Sequence, residues 1–283
     1  MTQATWRDSP PRPLPGPKGL RAWLRVLRRI LPAVMVLLIG VITLLPLRGV
    51  ERLIHGMRRP WTGPHVQLVC RLVLVCFGIR WSCRGQPMRG PGAVVANHSS
   101  WLDILVMNAA MPVFFVSKSE VASWPGINIL TRVTNTHFVI RDPRLARQQA
   151  AEFATRVRAG HRLLFFPEGT SSDGQRVLPF KATLFQGFLA DDLPKDLAIQ
   201  PMTAIYHAPV DEDPRFYAWW ADMDLGSHLL NVLAVKRQGS VVVCLHDSIP
   251  VVDESRKSLS AKAEETVRCG HHDKIGLSTS SCC

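Results

Sequence analysis

Apolar and polar positions along the chain fall into two textures. Residues 30–47, ILPAVMVLLIGVITLLPL, carry no charge, and such a run lies at the short end of what spans a bilayer, where about 20 apolar residues are usual. A second run, VQLVCRLVLVCFGI (66–79), is interrupted by Arg71 and is short for a span, which predicts an interfacial or re-entrant segment. From Gly90 onward the texture changes to short apolar runs alternating with helical spacing. GAVVAN (92–97), PVFFVS (112–117), THFVIR (136–141), HRLLFFP (161–167), LAIQPMTAIY (197–206) and GSVVVCLH (239–246) read as strands. SWLDILVMNAA (100–110) and PRLARQQAAEFATRVRAG (143–160) read as helices, the second with Asp142 as N-cap, Pro143 in its first turn and Gly160 closing it. Strand and helix in alternation predict an α/β layered domain around a largely buried sheet, behind an N-terminal hydrophobic anchor.

The charge divides along the same line. The net charge is +12, which on a globular body would suggest an anionic partner. Residues 1–89, however, hold 15 Lys and Arg against Asp8 and Glu51, while the remainder is close to neutral. Arg21, Arg25, Arg28 and Arg29 precede the long apolar run and Arg48, Arg52, Arg58 and Arg59 follow it. Arginines beside anionic headgroups account for this charge without nucleic acid, and stacking aromatics are sparse among them. Because both flanks are basic, the positive-inside rule assigns no orientation. A signal peptide is the competing reading, disfavoured by the length of the run and the lack of a small-residue cleavage site.

The expected organisation is a basic, proline-rich lead over 1–29, disordered over 1–19 and then a basic amphipathic approach to the membrane in LRAWLRVLRRI, a membrane-anchoring segment over 30–89, a catalytic body over 90–253 and a polar tail over 254–283. His271 and His272 in that tail read as tail residues, not metal ligands. The seven cysteines are odd in number and form no C-x-x-C pair, so neither a disulfide framework nor a zinc site is indicated and a reducing cytoplasm is expected.

The candidate chemistry begins at VVANHSSWLDILV (94–106). One reading makes Ser100 and Asp103 a capping box, with Asp103 reaching back to the helix start. The other makes His98 a general base whose tautomer and imidazolium Asp103 fixes. Residues five apart do not face one another on a helix, so the second reading requires His98 in the turn before it. A second motif, LLFFPEGTSSDG (163–174), ends another apolar run on Glu168, which is either a surface turn residue or part of a site where Gly169 lets the backbone approach a ligand. Arg141, ending HFVIR, is either a solvated strand-end cation or a bidentate anion contact.

Taken in order, Asn97-His98 with Asp103, FVIR, FPEGT and IQPM (199–202), behind a basic hydrophobic N-terminus, resemble the 1-acyl-glycerol-3-phosphate acyltransferase family of glycerolipid acyltransferases. The resemblance spans roughly 94–206. It implies a layered glycerolipid-acyltransferase-like catalytic domain, with His98 and Asp103 as the catalytic pair and Arg141, Glu168, Gly169, Thr170 and Lys181 binding the substrate. It also implies a lysolipid acceptor, acyl-carrier protein or coenzyme A as thioester donor, membrane lipids as surroundings, and an inner-membrane location with the catalytic domain on the cytoplasmic side. No resident cofactor or metal is expected. An activated thioester needs a base and oxyanion donors rather than an acyl-enzyme, and the chain has no G-x-S-x-G elbow.

Two departures pull the head-group expectation away from lysophosphatidic acid. Ser171 and Ser172 follow FPEGT, where many phosphatidic-acid-forming members carry an arginine, leaving Arg176 or Lys181 as replacements. FYAWWADMDLGSHLLNVLA (216–234) is more similar to the lyso-ornithine lipid acyltransferases, whose zwitterionic acceptor could use Asp222 or Asp224; a membrane-facing aromatic patch is the alternative. The main expectation is a lysophosphatidic-acid-type acyltransferase, with a lyso-ornithine lipid acyltransferase or a non-catalytic lipid-binding homologue as alternatives.

Overall fold

A computed structural model of the chain describes residues 6–90, 92–118, 137–139, 146–190 and 193–272. Two long apolar helices come first, α1 (Leu20–His55) and α2 (Thr62–Phe77). They pack as a hairpin in which Glu51 meets Thr62 and Gly40 lies against Val69. A Cβ at Gly40 would sit 2.8 Å from the Val69 side chain, so the close approach of the helices depends on that glycine. The outer face of α1 exposes Leu24, Leu31, Met35, Leu38, Ile42 and Leu45, and α2 exposes Leu68, Leu72 and Val75. Only 17% of the most apolar stretch of α1 is buried, and the helix is long and apolar enough to cross a membrane. Pro32 and Pro46 lie inside it, tolerable where neighbouring groups re-satisfy the freed carbonyls.

The body is built on strands β1 (Arg80–Arg84), β2 (Gly92–Ala96), β3 (Phe114–Lys118), β4 (His137–Val139), β5 (Arg162–Phe165), β6 (Ala198–His207), β7 (Ser240–Leu245) and β8 (Ile249–Pro250). Their order across the sheet is β1-β7-β6-β2-β5-β3-β4, with β8 beside β6. All described pairings are parallel except those of β6 with β7 and β8. The central β2, GAVVA, is buried at every position, as a continuously apolar strand covered on both faces should be. Helices α3 (Asp103–Ala110), α4 (Ala146–Arg158) and α5 (Leu225–Ala234) complete the expected α/β alternation. Because β2 pairs in parallel with both β5 and β6, their carboxyl ends lie together, where open α/β sheets place ligands.

Three local expectations are corrected. The stretch read as a polar tail contains a packed helix, α6 (Arg256–His272), whose Leu259, Ala263 and Val267 enter the core with Phe180, Phe185 and Phe188. Those three residues recur every four positions, a stripe too narrow to stand out among lysines and glutamates. The lead read as disordered lies, over residues 6–19, across the aromatic segment that precedes α5. Trp6 and Leu14 pack on Ala218, Trp220 and Met223, and Trp220 Nε1 donates to Ser9 O at 3.0 Å. The segment around Trp220, buried to 1% exposure, is therefore an internal cluster and not a membrane-facing patch.

The basic approach to the anchor is also partly committed inside the protein. Arg25 Nε donates to Ala234 O at 2.6 Å, and Arg29 Nη1 donates to Leu233 O and Val235 O at 2.7 Å each. These guanidiniums satisfy the open carbonyls at the C-terminus of α5, where cations are also favoured by the helix dipole. They hold the hairpin to the body.

Candidate functional site

The site forms where β2 runs out. Asn97 ends the strand and, like a further strand residue, bridges to β6: its Nδ2 donates to Ala204 O at 3.0 Å and its Oδ1 accepts from Ala204 N at 2.8 Å. The next residue, His98, stands in a turn before α3, as the base reading requires. His98 Nδ1 lies 2.8 Å from Asp103 Oδ2. The same oxygen accepts from Ser99 N at 2.9 Å and Ser100 N at 3.0 Å. Capping and ring orientation, posed as rival readings, are therefore performed by one carboxylate.

The other oxygen, Asp103 Oδ1, accepts from Tyr206 OH at 2.6 Å. Burial pushes the Tyr206 phenol well above its ordinary pKa, with the charge of Asp103 acting in the same direction, so the hydroxyl remains a donor. With Nδ1 donating to Asp103, the His98 ring keeps Nε2 as its basic nitrogen. The side chain is 22% exposed, against 0% for Asp103. Phe166 stacks on its other face at a centroid distance of 4.1 Å. A ring held by a carboxylate on one edge and an aromatic face is set in one orientation, as a proton carrier needs.

The FPEGT turn follows β5 and lies beside this pair. Glu168 is 2% exposed; its Oε1 accepts from His98 N at 2.8 Å and its Oε2 from Leu178 N at 3.2 Å. Burial pushes its carboxyl up to about 8, the amides of His98 and Leu178 oppose this, and the charge of Asp103 adds to it. The geometry thus puts Glu168 behind His98, shaping its backbone. Gly169 has φ 74°, and a Cβ there would sit 2.6 Å from Lys181 Nζ. Lys181 is exposed and its ammonium lies over the turn. Thr170 Oγ1 accepts from Trp6 N at 3.4 Å, bringing the N-terminal lead to the same turn.

Of the remaining candidates, Arg141 lies outside the described residues. Ser172 is buried and its amide donates to His98 O at 3.0 Å, so it supports the turn rather than facing an acceptor. Arg176 reaches Asp173 at 3.5 Å and stands over the Trp6 ring. Asp224 is the N-cap of α5, accepting from Ser227 N at 2.7 Å, and Asp222 pairs on the surface with Arg7. Sequence reading passed over Tyr206 and the bridging role of Asn97. Tyr217 joins the network only through its backbone carbonyl, which accepts from Ser100 Oγ at 2.6 Å.

Against known proteins, a family described as Acyltransferase matches residues 82–204. The chain is 48% identical over 271 residues to the lyso-ornithine lipid O-acyltransferase of Rhodobacter capsulatus, covering 95% of this chain and 98% of that one. The chain belongs to the glycerolipid acyltransferase family. It is an acyltransferase, which removes the non-catalytic alternative. The lyso-ornithine lipid O-acyltransferase of Brucella abortus is 35% identical over 70% of this chain and 78% of its own. The 1-acyl-sn-glycerol-3-phosphate acyltransferase of Neisseria gonorrhoeae is 33% identical over 62% and 67%. The fold is that of the 1-acyl-sn-glycerophosphate acyltransferase of Thermotoga maritima, with a TM-score of 0.59 and 20% identity over 90% of this chain and 100% of that chain. Family membership accounts for the layered α/β domain, and the N-terminal apolar helix for membrane association.

Proposed function

We propose that this acyltransferase is a lyso-ornithine lipid O-acyltransferase, transferring a fatty acyl group from an acyl-carrier-protein or coenzyme A thioester to the free hydroxyl of the lysolipid. The observation that carries the choice of acceptor is the near-full-length similarity to the Rhodobacter capsulatus enzyme, reinforced by Ser171 directly after FPEGT. The expectation of lysophosphatidic acid gives way to this reading. The catalytic domain, 90–253 extended by α6, works at the cytoplasmic face of the inner membrane, held there by the helical hairpin.

In the proposed reaction His98 Nε2 removes the proton from the acceptor hydroxyl as its oxygen attacks the thioester carbonyl carbon. A C–O bond forms, the carbonyl electrons move onto oxygen, and the imidazolium is stabilised through Nδ1 by Asp103. Collapse of the tetrahedral species breaks the C–S bond, and the imidazolium returns its proton to the departing thiolate, leaving ester and thiol. Tyr206 and Glu168 are positioning residues, acting through Asp103 and through the His98 backbone. Thr170, Gly169, Lys181 and Arg141 form the acceptor side, with Lys181 or Arg141 meeting the head-group carboxylate.

The test offers membranes containing the enzyme a labelled acyl-carrier-protein thioester with lysophosphatidic acid and lyso-ornithine lipid at equal concentration. Preferential acylation of the lyso-ornithine lipid is expected. Preferential formation of phosphatidic acid would overturn the acceptor assignment while leaving the proposed proton transfer intact.

A further inference from the structure

The sheet leaves two approaches to His98, one on either side of the strand it follows. In the order β7-β6-β2-β5, β2 lies between β6 and β5. The FPEGT turn, with Lys181 over it, follows β5 and takes one side. On the other side the carboxyl end of β6 meets the amino end of β7, where His207 pairs with Ser240. There a cavity of about 720 Å³ opens between the N-terminal lead, the start of α1, the loop after β6 and the loop before β7, a size usual for a small-molecule site. Acyl transfer brings two reactants to one base, and the proposed reaction gives the FPEGT side to the acceptor.

The cavity is cationic. Arg12, Lys18, Arg25, Lys236 and Arg237 line it, against the carboxylates of Asp211 and Glu212. Arg25 is tied through Nε to Ala234 O, whereas Lys18, Lys236 and Arg237 are exposed at the rim. Arg12 is held inside: its side chain is 8% exposed, it stands over the Phe216 ring at 4.8 Å, and its Nη2 donates to Phe216 O at 3.4 Å. Its Nη1 lies 3.9 Å from Glu212 Oε2, beyond hydrogen-bond length. Among the described residues its Nε is buried without a hydrogen-bond partner. A guanidinium fixed by packing and short of acceptors is suited to a phosphate.

The position of Arg12 relative to the catalytic pair says which phosphate. Phe216 meets Tyr217 at 5.0 Å and Tyr217 meets Tyr206 at 5.7 Å between ring centroids, and the Tyr206 hydroxyl donates to Asp103. Three rings therefore separate the cavity from the carboxylate that orients His98. A thioester whose carbonyl stands at His98 carries its charge at just such a remove, because the pantetheine arm of coenzyme A and of acyl-carrier protein alike ends in a phosphate ester.

We infer that Arg12, Lys18, Lys236 and Arg237 bind the phosphate of the donor's pantetheine arm, so that thioester and acceptor reach His98 from opposite sides of β2, an assignment that rests on the thioester donor proposed above. The experiment titrates the purified full chain, in micelles of a neutral detergent, with pantetheine and with 4′-phosphopantetheine, which differ only in the phosphate. The wild-type chain is expected to bind the phosphorylated compound about tenfold more tightly. Arg12→Gln and the double variant Lys236→Gln/Arg237→Gln are each expected to reduce that ratio about fivefold, and Lys257→Gln, an exposed cation on α6, to leave it unchanged. Two variants are read so that a folding defect in one, visible in its thermal melt, does not decide the result. In transfer assays both are expected to raise the donor KM about fivefold, with acyl-coenzyme A and acyl-carrier protein alike, at unchanged kcat and acceptor KM. An equal affinity of the wild-type chain for the two compounds overturns the site. A KM that rises with acyl-carrier protein alone would put the cations against the carrier's protein surface and overturn the phosphate assignment, and abolition of the ratio by phosphatidylglycerol in the micelles would make the cavity a lipid headgroup site and overturn it too. A tenfold ratio in a wild-type chain that accepts neither thioester would overturn the proposed donor and leave the phosphate site standing.

Discussion

Two carboxylates are buried within one hydrogen bond of His98, and the chain treats them differently. Asp103 accepts from four donors: the His98 ring, the Ser99 and Ser100 amides and the Tyr206 hydroxyl. Glu168 accepts from two amides, those of His98 and Leu178, and burial lifts its carboxyl to about 8. Equal burial therefore does not mean equal role. The residue surrounded by donors can stabilise a developing imidazolium as a charge. The residue with few donors serves as a bracket that ties the FPEGT turn to the turn after β2. Substituting each separates these tasks.

The largest effect belongs to the ring between them. His98→Ala is expected to lower acyl transfer by about 10²–10⁴-fold, the range attributed to a positioned general base, while flotation with membranes stays as in the wild type. Transfer at the wild-type rate would refute the base assignment. Asp103→Asn comes next, with a loss of about 10²-fold or more in kcat and little change in KM, because the amide cannot support the imidazolium as a carboxylate does. Tyr206→Phe removes one of the four donors without changing shape. A hydrogen bond to a charged group is worth about 1.5–3 kcal/mol, so a fall of roughly tenfold in kcat is expected, with the pH–rate profile displaced as well. A purely structural role for the hydroxyl would leave that profile in place.

Glu168→Gln tests the bracket through stability. The folded carboxyl titrates near 8 and the unfolded one near its ordinary value of 4.5. Between those values the folded chain holds a proton that the unfolded chain has released, so stability falls as pH rises through this window. The glutamine variant carries no such proton, and its thermal midpoint is expected to lose this component of the slope. His161 and His228, each pushed down to about 4 by burial, act oppositely: their stabilisation is lost as pH falls from about 6.5 towards 4. An unchanged difference between wild type and variant from pH 5 to 8 would contradict the raised carboxyl.

How much of this was visible in the sequence follows from what kind of signal each element leaves. The buried strands announce themselves because continuous apolar runs ended by Asn97-His98 or Pro167-Glu168 are local patterns. The proximity of His98 and Asp103 was legible for the same reason, being a matter of five positions and a helix start. Tyr206 was not, since its partner lies 103 residues away and only the parallel pairing of β2 with β6 joins them. The N-terminal lead misled because proline-rich composition argues for an extended chain but says nothing of what that chain lies on. Its anchors, Trp6 and Leu14, find the tryptophan cluster more than 200 residues later. The bland and chemical readings of Asp103 looked exclusive only because a sequence shows one residue and not its two oxygens.

Asp224 supplies the smallest and cleanest contrast. Like Asp103 it sits at a helix start and accepts a backbone amide, that of Ser227. Unlike Asp103 it is exposed. Its carboxyl is held below the ordinary range by the Ser227 amide, so its stabilising effect is present at neutral pH and fades as pH falls through that lowered value. Asp224→Ala should therefore lower the thermal midpoint slightly at pH 7, by less in acid, and leave both the rate and the choice between lyso-ornithine lipid and lysophosphatidic acid unchanged. A shift in acceptor preference would instead give this carboxylate the head-group role that its sequence neighbours suggested, and would mean that capping and recognition share a residue here, as capping and ring orientation do at Asp103.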